Sequence, residues 1–441
     1  MSGNPTHMSG PNERVGPRRL IEASHALPLV SILIAQRSGA AADPPGLEGL
    51  ARLTARLMRR TGGGLQPQVL DARIDSLGGS LAAEVSHSTV TFHATVIGRS
   101  LEPFCDVLED VLAHPGLAEE ELQRLQRETQ SELVEALDND RALVRRWFQR
   151  RLFSDHPFGR PVSGTLSSVG SARRADVLSL FTGTLRADAL LFAFGGDIEP
   201  ARAEAIAARL ANAVSAGDGP PDSVPEPEVV PGRRLVLVDK PERTQTQILA
   251  GGLGTHPRDD DHVALHVANT IFGGTFTARM TREIRSERGW SYGAYSSLPI
   301  DRHRRSFSMW TFPKAVDAAA CIRLELDMLH QWRDQGVTLE ELDWAKSYLV
   351  RSHAFSVDTA AKRVSLALDE LVYDLPDGYY RDYADRIQAV SLDQANQAVR
   401  NRIPEDDLLI TVVGTEADIG GTVRDAVPDL ASVEVIPFDT E

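Results

Sequence analysis

The sequence predicts an α+β protein of two homologous halves, each a mostly antiparallel sheet with helices packed on one face. Three observations carry this. At 441 residues the chain is too long for one ordinary core, which favours two domains. A single long stretch, AVSAGDGPPDSVPEPEVVPG from Ala213 to Gly232, is rich in proline, glycine and acidic residues, cannot hold helix or ladder hydrogen bonds for long, and divides the chain near its middle. The elements on either side follow a similar order, and both halves close with a helix, a polar turn, an apolar strand, glycine and an acidic residue: ALLFAFGGDIEP in the first, DLLITVVGTEAD in the second. Repetition of this kind marks a divergent internal duplication. The domains are therefore read as 18–212 and 233–441, joined by a linker over 213–232 and preceded by a disordered leader over 1–17.

The first half opens with the apolar strand LVSILIA, Leu29 to Ala35, followed by a helical stretch from Leu47 to Arg60. STVTFHATVI then alternates, with Val90, Phe92, Ala94 and Val96 on one face, as a half-buried strand does. Helical patterns cover about 101–113 and 118–153, and a helix near 174–184 leads into the strand Ala189 to Asp197. In the second half come the strands RLVLVD and TQILAGGLG, a helix over about 260–272, a glycine-bearing turn, another helix, and strands near 291–298 and 305–312. Long helices follow near 315–335 and 338–353, the second opened by the capping box Thr338-x-x-Glu341. A similar box, Ser391-x-x-Gln394, opens the last long helix.

Composition narrows the function. Hydrophobic residues make up 42% and charged residues 25%, a globular balance, and no run approaches the ~18 apolar residues of a membrane span. The first residues carry no apolar segment that would make a secretory signal. Cys105 and Cys321 lie far apart, so a disulfide framework is not expected and a reducing compartment, the cytoplasm, is the simpler reading. With 47 Lys and Arg against 62 Asp and Glu, the net charge of −15 argues against nucleic acid or an anionic membrane as partner.

Three stretches, in order and spacing, resemble the pitrilysin/insulinase-like (inverzincin) metallopeptidase family, in particular its processing-peptidase-like two-domain subunits. They are LPLVSILIAQRSGAAADPPGLEGLARLTARLMRRTG from Leu27, LFSDHPFGRPVSGT from Leu152, and IFGGTFTARMTREIRSERGWSYGAYSS from Ile271. Active members carry H-x-x-E-H on the first helix, two histidines for zinc and a glutamate that takes the proton of the attacking water. Here the matching positions are Gly49, Leu50, Ala51, Arg52 and Leu53, so both imidazoles are missing and a cation stands in place of the base. The third family ligand is best matched by Glu132, with Glu135 a possible shift of register, and the resemblance implies no metal site in this chain.

The resemblance also implies a retained feature. Family members place an arginine and a tyrosine seven residues apart in the second half, aimed at the scissile carbonyl, and Arg285 and Tyr292 stand at that spacing, near Gly273-Gly274 as a substrate-binding turn. A fixed guanidinium and a phenol are suited to stabilising the oxyanion of a tetrahedral intermediate. The implied function is that of the Arg-Tyr-bearing subunit of a heteromeric zinc endopeptidase, with zinc and H-x-x-E-H in a partner subunit and an unfolded peptide as substrate. The alternative is a catalytically inactive structural or peptide-binding subunit. A third possibility, a metal site on His256, His262 and His266, draws on the i,i+4 spacing of His262 and His266, although Ala264 and Leu265 leave no carboxylate between them. His87 and His93, about 20 Å apart along an extended strand, cannot share a metal.

Overall fold

The computed structural model describes residues 18–215 and 224–441. The expected leader and the central part of the expected linker lie outside them.

In the first half, strands β1 (Arg18–Ala23), β2 (Leu29–Gln36), β3 (Ser80–Val85), β4 (Val90–Ile97) and β5 (Leu190–Gly196) form one sheet in the order β1-β5-β2-β4-β3. Its helices are α1 (Leu50–Thr61), α2 (Pro67–Ser76), α3 (Leu101–Ala113), α4 (Glu119–Glu135), α5 (Asp140–Leu152), α6 (Leu166–Ser171), α7 (Arg174–Thr184) and α8 (Pro200–Ala213). The second half has strands β6 (Arg233–Asp239), β7 (Gln247–Leu253), β8 (Ala294–Ser297), β9 (Ser306–Thr311), β10 (Leu409–Gly414) and β11 (Leu430–Pro437) in the order β11-β6-β10-β7-β9-β8. Its helices are α9 (His262–Phe272), α10 (Ala318–Gln335), α11 (Leu339–His353), α12 (Ala360–Val372), α13 (Tyr383–Ala389), α14 (Leu392–Arg402) and α15 (Glu416–Ala426), with a π-helical turn over Thr281–Glu287.

The two sheets repeat one topology. In the first, β1 runs parallel to β5, and β5-β2, β2-β4 and β4-β3 are antiparallel. In the second, β6 runs parallel to β10, and β10-β7, β7-β9 and β9-β8 are antiparallel, with β11 added in parallel outside β6. The sheets are thus mixed rather than purely antiparallel, and the duplication read from the sequence is a duplication of strand order.

The helices that a half packs on its own sheet lie on one face, as expected, and a helix lent by the other half covers the second face. Val30, Ile32 and Ile34 of β2, with Phe192 and Phe194 of β5, pack on α1, α3 and the other helices of their own half. The intervening residues Leu33, Ala35, Leu191 and Ala193 pack on Val364, Leu368 and Val372 of α12, which belongs to the second half. The reciprocal contact comes from α5, whose Leu143, Val144, Trp147 and Phe148 pack on Val236, Val238, Leu249, Leu409 and Val413 of the second sheet. Alternate side chains of one strand therefore enter two different cores, which is why these strands read as continuous apolar runs. The exchange ties the halves together, and buried Lys240 at the end of β6 completes it by donating to Asp140 Oδ1 and the Leu137 carbonyl of the first half, each at 2.7 Å.

Several expectations need local correction. The helical pattern over 118–153 is broken at Ala136–Asp138, where Asn139 turns the chain and caps α5 through the Ala142 N–H at 3.0 Å. The stretch from Leu47 becomes helical only at Leu50, and α8 runs through Ala213 into the start of the expected linker. The helix after the Gly273-Gly274 turn is the π-helical turn. Both boxes, at Thr338 and Ser391, are formed as read. Cys105 and Cys321 are buried and unpaired, and burial pushes the Cys105 thiol up to about 12 and the Cys321 thiol higher. No helix among the described residues is long and apolar enough to cross a membrane.

Candidate functional site

Two clusters answer the family comparison, one in each half. The first is at the start of α1. Asp43 accepts from the Gly49 and Ala51 backbone N–H groups at 2.8 and 2.9 Å and so caps this helix from a distance. Gly49 itself is left-handed at φ 91°, and a Cβ there would lie 2.9 Å from the Gly164 backbone. Leu50 and Leu53 point into the core, where neither offers a ligand.

Arg52 points the other way, to Glu132 of α4, which accepts from Arg52 Nη2 at 3.0 Å and from Arg56 Nη2 and Nη1 at 2.8 and 3.1 Å. One turn on, Arg60 Nη1 donates to Glu128 at 2.5 Å. Arg52, Arg56 and Arg60 are spaced four apart on α1, and Glu128 and Glu132 four apart on α4, so the two helices are joined by a ladder of guanidinium–carboxylate pairs. Burial works against ionisation of Glu132, but the hydrogen bonds from Arg56 and Arg52 hold its carboxyl below the usual range. Glu132 faces α1 through its bonds to Arg52 and Arg56, while Glu135 ends α4 without a hydrogen bond or ion pair to α1 among the described residues. The residues present do not fit zinc: glycine and leucine replace the imidazoles, and the remaining carboxylate is spent on two cations.

The second cluster follows α9. Gly273 and Gly274 end that helix against β8: the Gly273 carbonyl accepts from Ser296 N–H at 2.9 Å, and a Cβ on Gly273 would come within 2.5 Å of Ser296. The turn delivers Phe276 over the Arg285 guanidinium at 4.3 Å, while Tyr292 stacks on it from elsewhere at 4.4 Å. Both rings lie open, Tyr292 at 76% and Phe276 at 62% exposure. Among the described residues no ion pair engages Arg285, and its Nη1 is buried without a hydrogen-bond partner. The π-helical turn sets this geometry, widening the backbone where Arg285 sits. The structure thus brings Arg285, Tyr292 and the Gly273-Gly274 turn together and adds Phe276, which sequence reasoning missed; its signal was an aromatic two residues after a glycine pair.

The histidines do not converge. His262 is buried with Nδ1 2.8 Å from Thr255 Oγ1, His266 Nε2 is 3.1 Å from the Tyr383 hydroxyl, and His256 accepts at Nδ1 from Arg258. Burial pushes His262 down to about 3 and His266 to about 4, so both are neutral packing residues. Among the described residues no group of three His, Cys, Asp or Glu is arranged to hold a metal. His87 bonds the Arg160 carbonyl at 3.0 Å, while His93 meets Glu84 across the strand pair at 3.4 Å.

The comparisons place this geometry. Residues 19–166 match the family model described as insulinase (peptidase family M16), and residues 171–349 match the one described as the peptidase M16 inactive domain. The chain belongs to the M16 peptidase family. It is 26% identical over 344 residues to an uncharacterized zinc protease of Mycobacterium bovis, covering 74% of this chain and 75% of that one. It is 21% identical over 406 residues to YmxG of Helicobacter pylori, described as a non-peptidase homolog, covering 90% and 91%. A peptidase M16 inactive domain from Pseudomonas fluorescens superposes with a TM-score of 0.85 at 22% identity, covering 90% of this chain and 95% of that one. A chain of complex III2 from Candida albicans superposes at 0.75 with 12% identity, covering 92% and 97%. These likenesses confirm the two-half M16 fold.

Proposed function

We propose that this chain is the non-zinc-binding subunit of a heteromeric zinc endopeptidase acting on peptides. The observation that carries the reading is the Arg285 guanidinium, packed on two exposed rings with no carboxylate among the described residues paired to it. A cation fixed by stacking keeps its donors free, which suits a group that meets an oxyanion only as it forms. Gly49, Arg52 and Leu53 at the motif positions offer zinc no ligand, which supports the view that the zinc and its H-x-x-E-H helix come from a partner, in the cytoplasm. That partner supplies the metal chemistry; Arg285 and Tyr292 orient the scissile carbonyl and hold its developing charge, and Gly273-Gly274 shapes the wall beside it.

A second reading, a catalytically inactive structural or peptide-binding subunit, draws support from the likeness to the non-peptidase homolog YmxG. Arg285→Ala separates the two. In a reconstituted pair it lowers kcat/KM for peptide cleavage by about 10²-fold with assembly unchanged under the first reading. Under the second it changes nothing, because there is no cleavage for it to act on.

A further inference from the structure

A cleft of about 430 Å³ opens beside the degenerate zinc motif, between α4, α5 and the loop 159–164. Five arginines line it: Arg52, Arg145, Arg146, Arg150 and Arg160. No aspartate or glutamate does among the described residues. Acidic residues outnumber basic ones 62 to 47 in the chain, so a wall lined by five arginines runs against its composition. Arg52 is committed to Glu132, and Arg160 donates to the backbone carbonyls of Asp43 and Ala41 at 2.7 and 3.2 Å. Among the described residues the other three make no hydrogen bond or ion pair to a carboxylate, although Glu441 acts on Arg146 and Glu434 on Arg150 from farther away. Arg150 lies over the Trp147 ring at 5.1 Å, and Arg146 has a buried Nε without a hydrogen bond. Burial pushes both Arg145 and Arg146 down, and each is disfavoured further by a neighbouring arginine, Arg141 and Arg150 respectively. Leu133, Leu137 and Leu143 supply apolar walls that concentrate this field. The protein itself lays an acidic segment on the rim. Arg146 Nη2 donates to the Thr440 carbonyl at 3.2 Å, and the Glu441 carboxylate accepts from the Leu166 N–H at 2.6 Å.

We infer that this cleft binds acidic peptide segments, with carboxylate side chains on Arg145, Arg146 and Arg150 and main-chain carbonyls at the rim. The size suits a few residues of extended chain, and the rim contacts to Thr440 and Glu441 already combine a peptide carbonyl with a carboxylate. For its biological sense the inference rests on the reading of the chain as a peptide-handling subunit. It is measured on the full chain alone, without partner or zinc, so its failure and that of the cleavage reading are distinguishable.

The test is fluorescence anisotropy at low ionic strength with a labelled peptide rich in Asp and Glu, its Lys-rich counterpart, and inorganic phosphate as competitor. The expected result is binding of the acidic peptide, weakened by salt, with the Lys-rich peptide at least about tenfold weaker. Arg145→Glu, at an exposed site, and the Arg145→Glu/Arg150→Glu pair should each lower affinity, the pair by about tenfold or more, while circular dichroism stays unchanged. The single variant keeps the test informative where loss of the Arg150–Trp147 contact unfolds the double one. Equal binding of the two peptides, unchanged affinity in Arg145→Glu, or full displacement by phosphate at concentrations where the peptide gains nothing over it would each overturn the inference.

Discussion

Glu132, which the family resemblance matches best to a metal ligand, accepts hydrogen bonds from two arginines, and the charge that neutralises it is covalently part of α1. Restoring the motif letters as Gly49→His, Arg52→Glu and Leu53→His should therefore not restore stoichiometric zinc. Residue 49 is left-handed with the Gly164 backbone against it, position 53 faces the core, and a glutamate at 52 would repel Glu132. Metal analysis of the purified triple variant checks this, and one zinc per chain would contradict it. The loss of the motif was legible in five letters, and Glu132 was singled out there as well. What replaced the motif was not read, although Arg52, Arg56 and Arg60 at four-residue spacing opposite Glu128 and Glu132 were the signal. The seven-residue interval from Arg285 to Tyr292 was legible only through the family resemblance. Its stacking depends on a π-helical turn that no local pattern announces.

At the scale of the elements, the fold turns on α5 and α12, each lent by one half to cover the other's sheet. Trp147 is the largest side chain in the first of these contacts and is almost wholly buried. Trp147→Ala should cost about 3–5 kcal/mol and lower the thermal midpoint without dividing unfolding into two transitions, as calorimetry would show. Two separate transitions in the wild type would mean that the halves are not coupled this way. The central strands were visible, because LVSILIA, ALLFAF and RLVLV are apolar on both sides, and this same feature signals that the second face of each sheet is covered as well. The edge strands β1, β3 and β11 and the helices α2, α6, α8, α12, α13 and α15 went unread. β1 and β11 are half-exposed or exposed along most of their length, so weak alternation is all that pattern reading had to work with.

For the molecule as a whole, the buried carboxyls of Asp43, Asp369 and Glu325 make stability fall as pH rises, while buried His87, His262 and His266, pushed down, act the other way on the acid side. Burial pushes Glu325 up to about 8, and Asp43 to about 7 despite its bonds to Ala51 and Gly49. A carboxyl whose folded pKa is raised contributes stability that is full below its unfolded value, 4.5 for Glu325, and is lost as pH rises through about 8. Thermal midpoints should thus fall between about pH 6.5 and pH 8.5, above the range in which the buried histidines titrate, and Glu325→Gln, which can keep the contact to Thr311 Oγ1, should flatten that fall by a few degrees. An unchanged slope in the variant would show that Glu325 is not responsible. The Arg285–Tyr292 group and the arginine-bound Glu132 are set in different halves, so the proposed function is tested on the whole chain. The most direct measurement compares peptide cleavage by this chain, by an H-x-x-E-H subunit from the same source, and by the two mixed. Cleavage that appears only in the mixture and falls about 10²-fold with Arg285→Ala is the predicted result; a stable complex with no gain in cleavage would contradict it.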